Sequence, residues 1–269
     1  FTLNKKYLQA FTKPYKESGV GLPYVVNAHV QCFDDAMAKA LADSGCIILK
    51  FGLESGSDRV RREVLWRYMT NAQIEATTKH AHRHGLHTSA FVMFGLPKET
   101  REDIYETLRL CAKIKLGRFR WAIFYPFPGT AGYTISKDLD LIDWDKWSGM
   151  GNYFDASCLK FGADHDLFLE KLGALCPWYV NALTDWPCAR TYTDLVREVE
   201  AMDRETFRRR RAELVRMDRE MSEEFLRLGV PHYSIRYSHV MGVRSDFVAW
   251  ERRQETSTRE EQAVVYTLD

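Results

Sequence analysis

Residues 46–60 decide the fold, and they read CIILKFGLESGSDRV, an apolar run followed by a turn of small and acidic residues. The run from Cys46 to Leu53 is dense enough in apolar side chains to predict a strand buried on both faces. A similar run reads HTSAFVMF at 87–94, and shorter runs at 24–29 and 120–125 predict two further strands. Apolar residues at helical spacing fill the intervals between these runs, at 34–45, 71–84 and 99–116.

Strands that alternate with helices through short loops need right-handed crossovers, and such crossovers make the sheet parallel. The predicted fold class is therefore α/β, and the pattern alone allows either part of a barrel or a doubly wound sheet. After about residue 131 the sequence becomes aromatic and irregular, and 193–229 predict a long amphipathic helix or a helix pair. We expect two parts, 1–131 with the parallel sheet and 132–269 as an aromatic and helical extension with a loosely ordered tail from about 243.

The charge of the chain is nearly balanced, with 38 Lys and Arg residues against 37 Asp and Glu residues in a chain of 269. A balance of this kind gives no global attraction to nucleic acid or to an anionic membrane. No apolar run approaches the roughly 18 residues that span a bilayer, so we expect a soluble, cytoplasmic protein. The first residue is Phe1 rather than Met, which suggests that sequence upstream of it is absent.

Six cysteines are present, and no two of them are close enough in sequence to form a CxxC or similar metal-ligand pair. They are interpreted as reduced thiols, and no metal ligand is assigned. A looser cluster site formed by Cys158, Cys176 and Cys188 remains as an alternative, although such sites usually have short ligand spacings.

Candidate site residues lie where the strands end, because loops and helix N-termini converge at the carboxyl edge of a parallel sheet. Glu54 leaves its strand into a turn of serine and glycine, where a carboxylate can accept hydrogen bonds from both hydroxyls of a ribose. Gly95 lets a planar group approach the backbone, and Pro97 fixes the exit of the chain. Each feature alone has a plain structural reading, since a strand-end glycine often marks only a turn and a strand-end acid often only caps a helix.

Together these segments resemble one family. The motifs are AxxGC at Ala42–Cys46, GLESGSDRV at Gly52–Val60, FGLPKET at Phe94–Thr100 and YPFPGT at Tyr125–Thr130. In this order they resemble the radical S-adenosylmethionine (SAM) superfamily, especially the subgroup that often carries an N-terminal cobalamin-binding domain. The resemblance covers somewhat under half of the chain, and it implies a partial parallel (β/α) barrel of the TIM type with a mainly helical C-terminal extension.

The resemblance also implies cofactor contacts. It assigns SAM binding to the strand-end residues Asn27, Glu54, Ser55, Phe91, Met93, Gly95, Tyr125 and Pro126. Glu54 and Ser55 would bind the ribose. The adenine would be lined by Phe91, Met93 and Gly95, and its other side would be covered by backbone groups of Tyr125 and Pro126. Phe91 stands where the family pattern has its first glycine, which makes that contact looser.

Two further residues have weaker assignments by the same resemblance. His29, together with Asn27, would face the substrate or the methionine end of SAM. Arg67, in VLWRYMT, would pair with a carboxylate of the cofactor, although an exposed helical arginine is the simpler interpretation.

The defining CxxxCxxC motif of the family, which binds a 4Fe-4S cluster, is not found in this chain. By the same resemblance Phe1 would align just after the second barrel strand, so we expect the first two strands to be missing. By resemblance the chain is the C-terminal part of the radical SAM domain, and an N-terminal part would supply the cluster and, in the cobalamin subgroup, a cobalamin-binding domain. The implied activity is a cobalamin-dependent methyltransferase or a related C–C bond or ring-forming enzyme that acts on a small molecule through a 5′-deoxyadenosyl radical. Its electron donor would be a protein such as flavodoxin, and the fragment alone would be inactive.

Alternative functions remain open. One is a non-catalytic barrel remnant that binds a nucleotide or a partner chain, and another is an RNA-modifying enzyme similar to the methylthiotransferases. The basic run Arg208–Arg211 would suit RNA, but interleaved acidic residues favour an ion-paired, solvated helix face, so nucleic acid is not the expected partner. His80 and His84 share a helix face, as zinc ligands do, yet polar side chains at a helix C-terminus are the simpler interpretation.

Overall fold

The structure, a computed structural model, describes residues 1–149, 156–237 and 242–245. Its main sheet contains β1 (Tyr24–Asn27), β2 (Cys46–Glu54), β3 (His87–Phe94) and β4 (Arg118–Ile123). Neighbouring strands are all parallel, and their order in the sheet is the order in the chain. The predicted α/β class with a parallel sheet is therefore confirmed. The strand order never reverses, as it would in a doubly wound sheet, so the arrangement is that of a barrel arc.

Helices connect the strands and extend the molecule beyond them. They are α1 (Lys5–Glu17), α2 (Asp35–Asp43), α3 (Asp58–Glu63), α4 (Asn71–Arg83), α5 (Arg101–Ile114), α6 (Ala131–Asp138), α7 (Trp144–Gly149), α8 (Ala163–Ala182), α9 (Ala189–Ala201) and α10 (Arg204–Arg227). Thr70 and Thr100 form capping boxes at the starts of α4 and α5, which satisfies N–H groups that have no partner within the helix. An antiparallel hairpin of β5 (Tyr233–Tyr237) and β6 (Gly242–Ser245) follows α10.

The two faces of the sheet differ in burial. The face that packs against the helices carries fully buried apolar side chains, for example Leu49 and Phe51 on β2, Phe94 on β3 and Phe119 on β4. The opposite side, called the open face below, is mostly half-buried or exposed. Its strand residues are Val25, Asn27, Ile48, Lys50, Gly52, Glu54, Ser89, Phe91, Met93, Arg118, Arg120 and Ala122. The expectation that the 46–53 strand is buried on both faces was wrong, because alternate residues of β2 lie on this open face.

Two other expectations needed correction. The region after residue 131, interpreted as irregular, contains the 20-residue helix α8, whose side chains are buried over most of its surface. Of the two possibilities predicted for 193–229, a long helix or a helix pair, the structure has the pair, α9 and α10, which includes residues from 189 to 227. β4 starts at Arg118, two residues earlier than expected, and it ends before Tyr125. The charged tail expected from about 243 lies mostly outside the described residues.

One continuous core joins the sheet to the helices that follow residue 131. Buried side chains of α8, α9 and α10 belong to the same cluster as those of β2, β3 and β4. The Nε1 of Trp121 on β4 donates to the carbonyl of Gly173 on α8 at 2.8 Å. The division at residue 131 remains a prediction, and the two parts share this core. Among the described residues, no helix combines the length and apolar character needed to cross a membrane.

Candidate functional site

The carboxyl end of β2 places Glu54 over the open face. Its backbone has a φ of +64°, in the left-handed region that costs a non-glycine residue about 1–2 kcal/mol. The carboxylate folds back over Gly52, where an added Cβ would lie only 2.2 Å from Glu54 Oε1. A side chain at position 52 would therefore overlap the Glu54 carboxylate, and glycine avoids this overlap. Strained residues of this kind concentrate at ligand sites.

Arg67 fixes the Glu54 carboxylate from the loop between α3 and α4. Its Nη1 donates to Glu54 Oε1 at 2.9 Å and to the carbonyl oxygen of Gly52 at 3.2 Å. Burial raises the pKa of the Glu54 carboxyl, and the positive charge of Arg67 opposes that rise. Arg67 is not helical, and its contact here is with an acid of the protein itself. The Glu54 side chain remains 18% exposed, so part of it is open to a ligand.

The turn after Glu54 is anchored to α5. The Gly56 N–H donates to Thr107 Oγ1 at 2.7 Å, and the Ser57 hydroxyl donates to Asp103 Oδ1 at 2.6 Å. Burial alone would raise the pKa of Asp103, but hydrogen bonds from Ser57 and Thr100 and the nearby Arg59 lower it to about 2. These contacts hold the turn, and Glu54 with it, in a fixed position.

Ser55 lies beside Glu54 in the chain but has a different environment. Its side chain is fully buried, and its hydroxyl accepts from the Ser57 N–H at 3.2 Å and lies 3.4 Å from Thr107 Oγ1. The buried guanidinium of Arg61 donates to the Ser55 carbonyl at 2.6 Å. In this position the Ser55 hydroxyl stabilises the turn. The predicted ribose contact is therefore retained for Glu54 only.

The end of β3 is organised by Glu99. Glu99 Oε2 accepts from the N–H of Gly95 at 2.7 Å and from that of Leu96 at 3.1 Å, while Oε1 has no hydrogen-bond partner in the described structure. Complete burial raises the pKa of Glu99 to about 8, despite these two donors. Gly95 has a φ of +75°, and a Cβ there would lie 3.1 Å from Leu169 on α8. The glycine is therefore required by the turn, and its side-chain direction is covered by α8.

Phe91 and Met93 of β3 lie on the open face. Gly52 is the register partner of Phe91, so this ring stands one strand away from the space that the Glu54 carboxylate occupies. Both side chains are half-buried, and Met93 packs at the margin of a small apolar cluster that includes Phe124. An apolar surface beside a carboxylate is compatible with the adenine contact predicted for these residues, which stays a prediction.

An aromatic group follows β4. The Tyr125 hydroxyl donates to the carbonyl of Trp147 at 3.0 Å, and the two rings stack with centroids 6.0 Å apart. The Trp147 Nε1 donates in return to the carbonyl of Pro126 at 3.1 Å. The Pro126 carbonyl, which the resemblance assigns to the adenine side, therefore already accepts a hydrogen bond within the protein.

The end of β1 is more open than the others. Asn27 is exposed and is the register partner of Lys50, while His29 is exposed and its N–H donates to Thr2 Oγ1 at 2.8 Å. Because the four strands are parallel neighbours, their carboxyl ends lie along one edge of the sheet. The structure therefore brings the four predicted segments to the same edge, and it turns only the Ser55 hydroxyl and the Gly95 side-chain direction away from the opening.

Three cations on the open face were not among the predicted site residues. Lys50, Ser89 and Arg118 are register partners across β2, β3 and β4, and Arg120 is the partner of Phe91 in the next row. Arg118 Nε donates to Ser89 Oγ at 3.1 Å, and the Arg120 guanidinium carbon lies 5.8 Å from the centre of the Phe91 ring. The sequence did contain a signal for this face. Lys50 and Glu54 are four residues apart and Arg118 and Arg120 are two apart, and an even spacing places side chains on the same face of a strand.

The alternative sites named from the sequence have internal partners. His80 Nδ1 lies 3.2 Å from Asp35 Oδ1, which also accepts from Arg83. Cys158, Cys176 and Cys188 are all buried, and burial raises the pKa of each thiol, so the thiolate is disfavoured. Among the residues that the structure describes, no group of three His, Cys, Asp or Glu side chains is placed to hold a metal ion.

The basic run on α10 forms ion pairs on the surface. Arg208 pairs with Glu170, and Arg210 pairs with both Glu198 and Glu213. This is the ion-paired helix face that the interleaved acids indicated.

Comparison with known proteins supports the family resemblance over part of the chain. Residues 3–111 match the family model of the Radical SAM superfamily. An uncharacterized methyltransferase of Pyrococcus horikoshii is 32% identical over 151 residues, which cover 55% of this chain and 33% of that protein. The tRNA-2-methylthio-N(6)-dimethylallyladenosine synthase of Thermus thermophilus is 31% identical over 128 residues, 45% of this chain and 27% of that protein. The chain thus spans about a third or less of these relatives.

Solved structures give weaker likenesses. Coproporphyrinogen III oxidase of Escherichia coli, a radical SAM enzyme, matches with a TM-score of 0.45 at 23% identity, over 51% of this chain and 33% of its own. The radical SAM methyltransferase TsrM of Kitasatospora setae, with cobalamin and a [4Fe-4S] cluster bound, matches with a TM-score of 0.42 at 21% identity, over 51% of this chain and 28% of its own. At these scores the likenesses say nothing about activity.

Proposed function

We propose that this chain is part of a radical SAM enzyme and that the edge formed by β2, β3 and β4 binds the adenosyl portion of SAM. The family match over residues 3–111 and the methyltransferase relative support this proposal. The reaction that fits best is methyl transfer to a small molecule, with cobalamin as a further cofactor. Within this reaction we assign the binding and positioning of SAM to the residues described here.

The observation that carries the proposal is the geometry of Glu54. At the end of a parallel strand, the Glu54 carboxylate folds over Gly52, accepts from Arg67 and keeps 18% of its side chain exposed, so it can still accept hydrogen bonds from a ligand. A ribose offers two neighbouring hydroxyl donors, and hydrogen bonds to an ionised acceptor are about twice as strong as neutral ones. Because hydrogen bonds hold the turn at Ser55–Asp58 against α5, this turn would lose little conformational entropy when a ligand binds.

The cluster is a separate question, because its ligands are not found among the described residues. The six cysteines are far apart in sequence, and five of them are buried. We therefore derive no step through the cluster from this chain. We propose that another part of the full-length protein supplies the cluster ligands, that a further domain binds cobalamin, and that a protein such as flavodoxin delivers electrons. On this proposal the 269 residues alone form no product.

The test uses the gene product that contains these residues, reconstituted anaerobically with iron and sulfide. It should form 5′-deoxyadenosine from SAM only when a reductant is present. Glu54→Gln should raise KM for SAM about ten- to hundredfold, since a hydrogen bond to a charged group contributes about 1.5–3 kcal/mol. Gly52→Ala should also raise it, because the new Cβ enters the space of Glu54 Oε1.

Glu63→Gln is the matched control, since this acid lies on the surface of α3 with a 55% exposed side chain. An equal KM in Glu54→Gln and Glu63→Gln would contradict the ribose contact. No reductant-dependent deoxyadenosine from the wild type would reject the enzyme itself. Tight binding of SAM to the 269-residue chain without a cluster would favour the non-catalytic remnant.

A second candidate is a methylthiotransferase that acts on tRNA, favoured by the relative from Thermus thermophilus. The ion-paired basic run of α10 gives it no additional support. Incubation of the reconstituted protein with SAM and either bulk tRNA or a small-molecule extract separates the two, because label from the methyl group of SAM would enter only one of these fractions.

A further inference from the structure

Two tryptophans lie on a helix that contributes no buried residue to the core. None of the six residues of α7 is buried, although Trp144 and Trp147 have the largest apolar side chains found in proteins. Trp144 is 46% exposed, and Trp147 is half-buried. Single exposed apolar residues need no explanation, but apolar side chains that are grouped on a surface often mark a ligand site.

The two indole rings form a corner, called the aromatic corner below. Their centroids are 5.7 Å apart, and their planes are inclined by 74°. Tyr125 stacks on Trp147 with its plane inclined by only 12°, and Trp144 is the most exposed of the three residues. A flat ligand ring can stack on one indole and meet the other edge-on, which are the two arrangements that aromatic groups prefer.

Hydrogen bonds hold the aromatic corner in place. The Tyr125 hydroxyl donates to the Trp147 carbonyl, and Trp147 Nε1 donates to the Pro126 carbonyl. Immediately before α7, the Asp143 N–H donates to the carbonyl of Cys158 at 2.9 Å, which ties the start of the helix to a later part of the chain. Rings that are fixed in this way lose little conformational entropy when a ligand binds.

The aromatic corner lies beside the proposed SAM edge. Trp147 and Met93 pack against the same small apolar cluster, which contains Leu96 and Phe124. Because β2, β3 and β4 are neighbours in this order, the ends of β2 and β4 are two strand spacings apart, about 10 Å. A substrate bound at the aromatic corner would therefore lie next to an adenosyl group that Glu54 holds.

Size and charge favour a small, uncharged ligand at the aromatic corner. The exposed surface of Trp144 is about 100 Å², since a whole aromatic side chain has about 150–250 Å², whereas a stable protein interface buries about 800 Å² on each partner. Residues 143–149 contain two acids and one lysine, and this Lys146 pairs with Asp143. This stretch therefore gives no attraction to the phosphates of RNA.

We propose that Trp144, together with Trp147, binds a planar aromatic or heteroaromatic ring of the substrate. This inference rests on the proposed function, because it names the substrate class of that reaction. The substrate is a small molecule with an uncharged ring, which stacks on Trp144 and holds the molecule beside the SAM edge.

Calorimetry measures the binding of uncharged probes to the gene product that contains this chain. The ring probes are naphthol and quinoline, and decalol is the saturated analogue of naphthol. At least one ring probe should bind, and decalol should bind several-fold more weakly, because it has no π system. Trp144→Ala should raise the Kd of the ring probe about tenfold. Trp144→Phe keeps a ring and should retain most of the affinity.

Tyr7→Ala is the matched control. Tyr7 lies on α1, is 56% exposed and meets Phe1 edge-on with ring centroids 5.5 Å apart, so it is also a partly exposed aromatic residue with one ring neighbour. This variant should bind the ring probe as the wild type does. Because Trp144 is far from buried, Trp144→Ala should unfold at the same urea concentration as Tyr7→Ala.

A second measurement detects the ring contact directly. The protein is produced with fluorine-labelled tryptophan, and the fluorine NMR signal that is missing from Trp144→Phe identifies Trp144. Naphthol or quinoline should shift this signal through its ring current, whereas decalol, which has no ring current, should shift it far less. A purely structural role of Trp144 would not produce this difference.

The proposal would be overturned if neither ring probe bound, if decalol bound as tightly, if Trp144→Ala bound the ring probe as tightly as Tyr7→Ala, or if all probes shifted the Trp144 signal equally. Trp144-dependent binding of bulk tRNA without binding of a ring probe would also overturn it. Its failure differs from that of the proposed function. Deoxyadenosine formation without Trp144-dependent ring binding would reject only the ring site. Trp144-dependent ring binding without deoxyadenosine formation would reject only the radical SAM assignment.

Discussion

At the scale of single residues, Glu99 is the group whose protonation should control stability. Its pKa of about 8 in the folded protein lies far above the value of about 4.3 of an unfolded chain. Between these values the folded state holds a proton that the unfolded state has lost. The free energy of unfolding should therefore fall as the pH rises from about 4.3 to 8, because the folded state binds more protons.

Glu99→Gln should remove this pH dependence. The amide oxygen can still accept from the N–H groups of Gly95 and Leu96, and no ionisation cost arises above pH 5. Urea unfolding at several pH values should show the variant overtaking the wild type by a few kcal/mol near pH 8, at about 1.4 kcal/mol for each pKa unit. Glu102→Gln, at a 68% exposed acid in the first turn of α5, should follow the wild type. Parallel curves for all three proteins would contradict the buried, protonated carboxyl.

Some residues of the candidate site could be identified from the sequence, and others could not. Glu54 could be identified because its position follows from strand and turn patterns, and the structure places it at the expected edge. The Ser55 hydroxyl could not be placed, because its direction depends on Thr107, 52 positions away in the chain. Lys50 was overlooked because its dense apolar neighbours suggested a strand covered on both sides.

At the scale of elements, the strand–turn–helix unit of β2, its turn and α5 depends on close contact at Gly56. A Cβ at this position would lie 2.5 Å from the Cα of Thr107 and 2.7 Å from its N, and backbone atoms of a helix cannot move aside locally. Gly56→Ala should therefore push the turn away from α5 at a cost of about 1–3 kcal/mol. Urea unfolding measures this loss, and KM for SAM should rise as the support of Glu54 loosens.

The matched control for this contact is Gly149→Ala, since a Cβ at Gly149 meets no atom within 4 Å. Its stability should equal or slightly exceed that of the wild type, because alanine is favoured over glycine in helices. If the two variants unfolded at the same urea concentration, close packing of the turn on α5 would not be the constraint at Gly56.

Most elements could be predicted because their signals are local. Thr70 and Thr100 begin helices through capping boxes, and the apolar runs at 46–53 and 87–94 correspond closely to β2 and β3. Helix α8 could not be predicted in this way. It is buried on most sides and contains Pro177, so the polar face that produces helical periodicity is missing. Its helicity depends on the tertiary environment.

At the scale of the whole molecule, Asp218 joins three elements of the C-terminal part. This fully buried carboxylate on α10 accepts from Trp178 Nε1 on α8 at 2.7 Å and from the Ile235 N–H on β5 at 2.7 Å. Tyr233 of the same hairpin stacks edge-on against Phe119 of β4, with ring centroids 5.0 Å apart. Through these contacts the helical extension and the parallel sheet share one core.

A shared core predicts one cooperative unfolding transition, in which the division at residue 131 is not visible. Asp218→Ala leaves two buried donors without their acceptor, at about 1–3 kcal/mol each, and should lower the whole transition by about 2–5 kcal/mol. Asp194→Ala, at a 61% exposed residue of α9, should leave it unchanged. Tryptophan fluorescence and far-UV circular dichroism should report the same midpoint in every variant. Two separate midpoints, with Asp218→Ala shifting only one, would instead show that the extension folds independently of the sheet.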